Sequence, residues 1–262
     1  MSLLTVGVFG TSQKKQEKRV PIHPHQIDWL DENIREMLIF EKGYGERFGM
    51  TDKEIASKTG GVTSREDLFQ KSDIVLLAKP VPSDFEQMKK GTIHFGWPHC
   101  VQQREMTQIA IDRRLTLIAW EAMHRWSKNG DWQMHVFHKN NEIAGYAGVL
   151  HAMNLLGADG NYGAQKKAAV ISFGSVSRGA VRALQSRGIQ DTTVYTQRYS
   201  FLVADQMAGV NYFQYEEKPN GELNIIEPNG DTYPFIQSLA DKDIIVNGIL
   251  QNTDNPLMFV NE

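Results

Sequence analysis

Only one cysteine, Cys100, stands in the 262-residue chain, so no intrachain disulfide can form and a disulfide-stapled secreted fold is excluded. No apolar run approaches the ~20 residues that a membrane-spanning helix needs. The longest, Ile74 to Ala78, has the size of a strand. An excess of either charge is missing as well. Lys and Arg number 28 against 31 Asp and Glu, a formal net charge of −3. Electrostatics therefore gives no reason to expect a nucleic acid or an anionic membrane as partner. Glycine (22) and proline (9) are at ordinary levels, which excludes collagen-like and linker sequence. The start, MSLLTVGVFG, lacks the charged-then-apolar layout of a signal peptide. What remains is ordinary globular composition, 41% hydrophobic and 23% charged, in a length that suits one large or two ordinary domains. A soluble cytoplasmic protein is expected.

Short apolar runs alternate with helix-like stretches from the first residues onward. Thr5–Phe9, Met37–Phe40, Asp73–Ala78, Thr92–Trp97, Leu115–Glu121, Ala168–Ser172, Thr192–Thr196 and Asp243–Ile249 read as strands buried on both faces. Thr51-x-x-Glu54, Thr63-x-x-Glu66 and Ser83-x-x-Glu86 read as capping boxes, which satisfy free N–H groups at helix starts. This alternation predicts an α/β fold: two Rossmann-like domains with mostly parallel, doubly wound sheets. Asn141–Gly157 (NEIAGYAGVLHAMNLLG) breaks the rhythm as a longer apolar helix and is placed at the junction, joining the two halves. Residues 1–140 are read as the first domain, and 141–262 as the linker helix with the second. Pro219-Asn220-Gly221 and Pro228-Asn229-Gly230 mark turns in Val210–Tyr233, which reads as a hairpin-like insertion.

The clearest chemical signal is AAVISFGSVSRGAVRAL, residues 168–184. A strand enters a tight small-residue turn and leaves as a helix, so the backbone can approach a pyrophosphate at a helix N-terminus. The dinucleotide fingerprint G-x-G-x-x-G/A maps onto Ser172-x-Gly174-x-x-Ser177, with Ser175 and Val176 inside the turn; only the central glycine is kept. An ordinary βα turn is the competing reading. The strand that follows ends in Thr196-Gln197-Arg198. An NAD site usually carries an acid there, whereas an arginine can grip a 2′-phosphate, so NADP(H) is preferred and NAD(H) stays open. A solvated surface arginine is the alternative for Arg198.

Four ionisable groups fall at or just beyond the C-terminal ends of predicted strands. They are Arg19 in KKQEKRVPIHP, Lys79 closing IVLLAK, His99 in IHFGWPHC and Glu121 closing LIAWE. One such placement is unremarkable; four suggest a convergent crevice on the ligand-binding rim of an α/β sheet. The remaining histidines carry less. His23 and His25 flank a turn proline; His135 and His138 have no third ligand at a recognisable interval, so no metal site is expected. His151 reads as a junction residue, and Trp120, Met123 and Trp126 as core packing.

The order KRVPI, LLAKP, HFGWPH, EIAGYAGVLHAM and nucleotide turn resembles the superfamily of alanine dehydrogenases and lysine-forming saccharopine dehydrogenases, and within it the carboxyethylornithine synthases. The resemblance spans essentially the whole chain. It implies an oxidoreductase that condenses pyruvate with the side-chain amine of ornithine or lysine and reduces the product with NADPH. It further implies that Arg19 binds the substrate carboxylate, Lys79 hydrogen-bonds the keto acid, and His99 acts as general acid and base, with a two-residue shift toward Trp97 left open. Glu121 then helps to seat the amino substrate. A first domain for substrate, a second for the dinucleotide, and a homo-oligomer are implied as well. Two departures stand out: the serines in the turn, and a chain that ends just after NGILQNTDNP, where the family continues. Two rivals remain. One is an alanine or saccharopine dehydrogenase; the other is a nucleotide-binding protein without catalysis.

Overall fold

The computed structural model of the chain describes residues 4–251 and 256–260. The first three residues of MSLLTVGVFG and residues 252–255 of NGILQNTDNP lie outside them. Two compact units are present, Met1–His135 and Val136–Glu262.

The first unit is built on β1 (Val6–Val8), β2 (Leu38–Glu41), β3 (Gly61–Thr63), β4 (Ile74–Leu76), β5 (Ile93–Gly96) and β6 (Thr116–Ala119). Their order is β3-β2-β1-β4-β5-β6 and every pairing is parallel. The order reverses between β1 and β4, and in such sheets ligands bind beyond the carboxyl ends of the strands at that reversal. Helices α1 (Glu32–Arg35), α2 (Asp52–Ala56), α3 (Arg65–Lys71), α4 (Pro82–Gln87) and α5 (Arg104–Asp112) connect the strands. Phe9, Leu68, Phe69, Leu77, Phe85, Met88 and Met106 fill the core, each side chain worth roughly 1.5–3 kcal/mol when fully buried. Burial on both faces fails at the sheet edge: β6 alternates exposed and half-buried residues because it has a neighbour on one side only.

The expected capping boxes hold in one case of three. Thr51 accepts the Glu54 N–H while Glu54 accepts the Thr51 N–H. At α3 the cap is Ser64, which accepts the Asp67 N–H at 3.2 Å, because Thr63 is still the last residue of β3. At α4 the helix starts at Pro82, whose fixed φ and missing N–H suit a first helical position, so Ser83 lies inside it. Asp84 instead accepts the Val81 N–H at 2.9 Å. The hairpin β7 (His124–Trp126) and β8 (Trp132–His135) ends the unit. It separates the aromatic stripe expected in the core: Trp120 is buried in a 3-10 turn, but Trp126 is 56% exposed on the hairpin.

The second unit opens with α6 (His138–Leu156), closed by Gly157 in the left-handed region at φ 62°. Then come β9 (Lys167–Ile171), α7 (Ser175–Ser186), β10 (Asp191–Thr196), β11 (Val210–Glu217), β12 (Leu223–Ile226), β13 (Thr232–Pro234), α8 (Phe235–Leu239) and β14 (Ile244–Asn247). The sheet order is β13-β12-β11-β10-β9-β14, again reversing beside its first strand. The segment expected as an insertion is part of the sheet. The first half of β11 pairs parallel with β10, and its second half turns back through β12 and β13 as an antiparallel edge. Helices α6 and α7 cross closely enough to require glycine. A Cβ on Gly145 would lie 1.9 Å from the Val176 carbonyl oxygen, and one on Gly179 would lie 1.8 Å from that of Glu142. The GYAG motif thus fixes where α7 begins. No helix among the described residues is long and apolar enough to cross a membrane.

Candidate functional site

The chain leaving β5 carries Trp97 and His99, and the first unit gathers its cations around them. The Arg19 guanidinium lies 4.6 Å from the Trp97 ring centroid, and Lys79 Nζ lies 5.8 Å from it. Cations are drawn to the negative face of an indole, so Trp97 holds both near one point. Lys79 Nζ contacts His99 Nε2 directly. Glu121, in the turn after β6 rather than at its end, accepts the His99 backbone N–H on Oε1 at 2.8 Å. Its second oxygen, Oε2, is buried without a partner. Arg19 donates to Glu17 from Nε at 2.9 Å and from Nη2 at 2.6 Å. His99 has φ 51°, an uncommon backbone for a residue with a side chain, and one that active sites tend to retain.

Electrostatics follows from this crowding. Burial, with the charges of Lys14 and Arg19 added, pulls Lys79 from 10.5 down to about 8. Burial first, and then the neighbouring Lys79, also lowers His99. A neutral imidazole thus faces an ammonium that gives up its proton readily, an arrangement suited to moving protons near neutral pH. The hydrogen bonds from Arg19 hold the Glu17 carboxyl down at about 2.

The second unit has a cavity of about 270 Å³ at the carboxyl edge of β9 and β10, lined by Ser172, Phe173, Gly174, Thr196, Gln197, Arg198, Val203, Tyr215 and Ile249. Ser172 has φ 77°, the conformation for which the fingerprint reserves its first glycine. Gly174 precedes the first turn of α7 with no side-chain cap, and a Cβ placed there would meet nothing within 4 Å. Ser175, Val176 and Ser177 form that first turn, which holds no acid. Ser177 is fully buried, and a Cβ on Gly248 would lie 2.0 Å from its Oγ. The room that the third fingerprint position normally makes by being glycine is made here by Gly248, just after β14. Thr196 Oγ1 accepts the Arg198 N–H at 3.2 Å. Arg198 is exposed, and its guanidinium pairs with no carboxylate among the described residues.

Residues 11–144, which include Arg19, Lys79, His99 and Glu121, match the family described as alanine dehydrogenase/PNT, N-terminal domain. The chain belongs to that family. It is 28% identical over 182 residues to an N(5)-(carboxyethyl)ornithine synthase of Clostridium botulinum, covering 64% of this chain and 54% of that protein. A protein of the same name from Lactococcus lactis subsp. lactis is 24% identical over 237 residues, covering 87% of this chain and 71% of the other. Among solved structures an L-alanine dehydrogenase superposes with a TM-score of 0.65 at 19% identity, covering 92% of this chain and 65% of that one. The chain thus spans about half the length of the clostridial relative.

The alanine dehydrogenase/PNT fold implies a nicotinamide dinucleotide, and the second unit's cavity fits one. It offers the unfilled space over Gly174, an uncapped helix start with no acid, and an unpaired arginine. Ser172, Gly174, Thr196, Gln197 and Arg198 share that cavity; Ser175, Val176 and Ser177 adjoin it in α7. Sequence reasoning missed the roles of Trp97, Glu17 and Ser12, whose Oγ donates to the Lys79 carbonyl at 2.6 Å. An aromatic between two cation-bearing strand ends was a usable signal for Trp97; nothing local marks Ser12. His151 is exposed on α6.

Proposed function

We propose that the first unit binds a 2-keto acid and the second a dinucleotide, and that the protein joins pyruvate to the side-chain amine of ornithine or lysine in an NADPH-dependent reductive condensation. The observation that carries this reading is the Lys79–His99 contact beside Arg19 at the sheet reversal. Arg19 receives the keto-acid carboxylate, which shares or displaces Glu17 on the guanidinium. Lys79 donates a hydrogen bond to the keto oxygen and stabilises the negative charge that grows there as the amine attacks. Lys79 passes a proton to that oxygen, making it a hydroxyl. His99, kept neutral by burial and by Lys79, accepts the proton that the attacking amine loses and gives it to this hydroxyl, which departs as water and leaves a protonated C=N bond. The unpartnered Glu121 Oε2 accepts an N–H of the amine. NADPH, when bound, supplies the hydride that reduces the resulting C=N bond. Arg198, with no acid beside it in the cavity, favours the 2′-phosphate of NADPH over the free hydroxyl of NADH.

Absorbance of NADPH and NADH followed with pyruvate plus ornithine, lysine or ammonia tests the reading. Turnover with ornithine or lysine supports it. Turnover with ammonia alone makes the protein an alanine dehydrogenase, and nucleotide binding without turnover makes it a silent nucleotide-binding protein.

A further inference from the structure

Behind the Lys79 pair lies an ion triad that the proposed chemistry does not use. Arg65, at the start of α3, has a side chain only 14% exposed. Its Nη1 bonds Glu41 Oε1 at 3.0 Å and the Thr11 carbonyl oxygen at 2.9 Å, and its Nη2 bonds Asp84 Oδ1 at 2.7 Å. Each carboxylate has a second task. Glu41 accepts the N–H groups of Gly10 at 2.8 Å and Thr11 at 3.0 Å and the Thr11 hydroxyl at 2.7 Å, which fixes the chain leaving β1. Asp84, fully buried, accepts the Val81 N–H at 2.9 Å, which fixes the chain leaving β4 just beyond Lys79. Ser12 then ties the two loops together through its 2.6 Å bond to the Lys79 carbonyl oxygen.

Ions buried in this way are a poor means of gaining stability, because desolvation offsets most of their attraction. Their directional bonds do fix geometry, and these bonds end on the two loops that flank the sheet reversal. We infer that Arg65 and Ser12 are positioning residues: the triad holds the loops after β1 and β4 in a single arrangement, and Ser12 passes that arrangement to Lys79. The inference rests on the reading that Lys79 polarises a keto acid.

The test uses the full chain with Ser12→Ala, Arg65→Lys and, as reference, Lys79→Met. Near-UV circular dichroism and a cooperative melt establish that each is folded. Ser12→Ala leaves the triad intact, so it reports even if Arg65→Lys does not fold. The first readout needs no substrate: the pH dependence of Lys79 acetylation by acetic anhydride, read by peptide mass spectrometry. Loosened loops take Lys79 away from its buried cationic surroundings, so its half-reaction pH rises from about 8 toward the ordinary 10.5 in both variants. The second readout is turnover. Since a misplacement of about 1 Å can cost on the order of a hundredfold, kcat should fall about tenfold or more while KM for NADPH stays unchanged. Folded variants with unmoved labelling and full kcat overturn the inference. Full turnover in Lys79→Met overturns the reading instead, and the labelling result then stands by itself.

Discussion

His94 gives the first unit a sensitivity to acid whose size can be worked out. It is fully buried on β5, its Nε2 lies 3.1 Å from the Leu77 carbonyl oxygen, and its Nδ1 has no partner. The Phe85 ring packs edge-on at 5.1 Å, and the Leu77 carbonyl only partly offsets the burial of an imidazolium. Burial therefore lowers its pKa from 6.5 to about 4. The unfolded chain takes up this proton as pH falls below 6.5, while the folded chain does not until about pH 4. Stability is thus unaffected above 6.5 and declines through that window. At 1.36 kcal/mol per unit the full loss is about 3 kcal/mol. His94→Gln keeps an N–H for Leu77 and removes the titration. All five tryptophans, Trp29, Trp97, Trp120, Trp126 and Trp132, lie in the first unit, so their fluorescence during urea unfolding reports that unit alone. The stability difference between wild type and His94→Gln should shift by about 3 kcal/mol in the variant's favour between pH 7 and pH 4. Parallel curves would refute the reasoning, since every other titrating group cancels in the difference.

Other consequences can be measured as directly. Ser172→Gly relieves a left-handed backbone and should raise the stability of the second unit by about 0.5–1 kcal/mol in calorimetry, the relief being partly offset by the entropy of glycine. Gly145→Ala pushes a methyl into the Val176 carbonyl, so that unit should lose about 1–3 kcal/mol and bind NADPH more weakly by isothermal titration. Arg198→Glu should weaken NADPH about tenfold to a hundredfold and NADH much less, reversing the ratio of their dissociation constants. In the pH–rate profile, activity should fall above about pH 8 as Lys79 loses the proton with which it polarises the keto oxygen. A profile flat to pH 10 would assign that role elsewhere.

The eight expected strands were legible because each is a short apolar run, and both sheets keep them near the expected positions. By contrast, Gly61–Thr63 at the sheet edge and the β7–β8 hairpin carry no such run. Helix starts were less so: the observed caps Ser64 and Val81 lie one and two positions from the expected Thr63 and Ser83, and the end of β3 and the ring of Pro82 decide between them. Strand ends drew attention to Arg19, Lys79, His99 and Glu121, and the parallel topology is what brings them around Trp97. The triad was not readable. Glu41, Arg65 and Asp84 belong to three separate elements, and each looks like a solvated surface residue in its own stretch of sequence. The fingerprint misleads for a similar reason. Ser177 looks too large for its position until Gly248, far along the chain, is seen to give it room. The long Val210–Glu217 strand hides its parallel half behind turn signals that announce only the antiparallel half.

Lys79 and His99 bear the chemistry in this account, and one comparison tests them most directly. NADPH oxidation with pyruvate and ornithine would be measured for wild type, Lys79→Met and His99→Asn, beside NADPH affinity by titration. The account predicts turnover reduced by about a hundredfold or more in both variants with the dissociation constant for NADPH unchanged, because the second unit's cavity is untouched. Full turnover in both variants would contradict it.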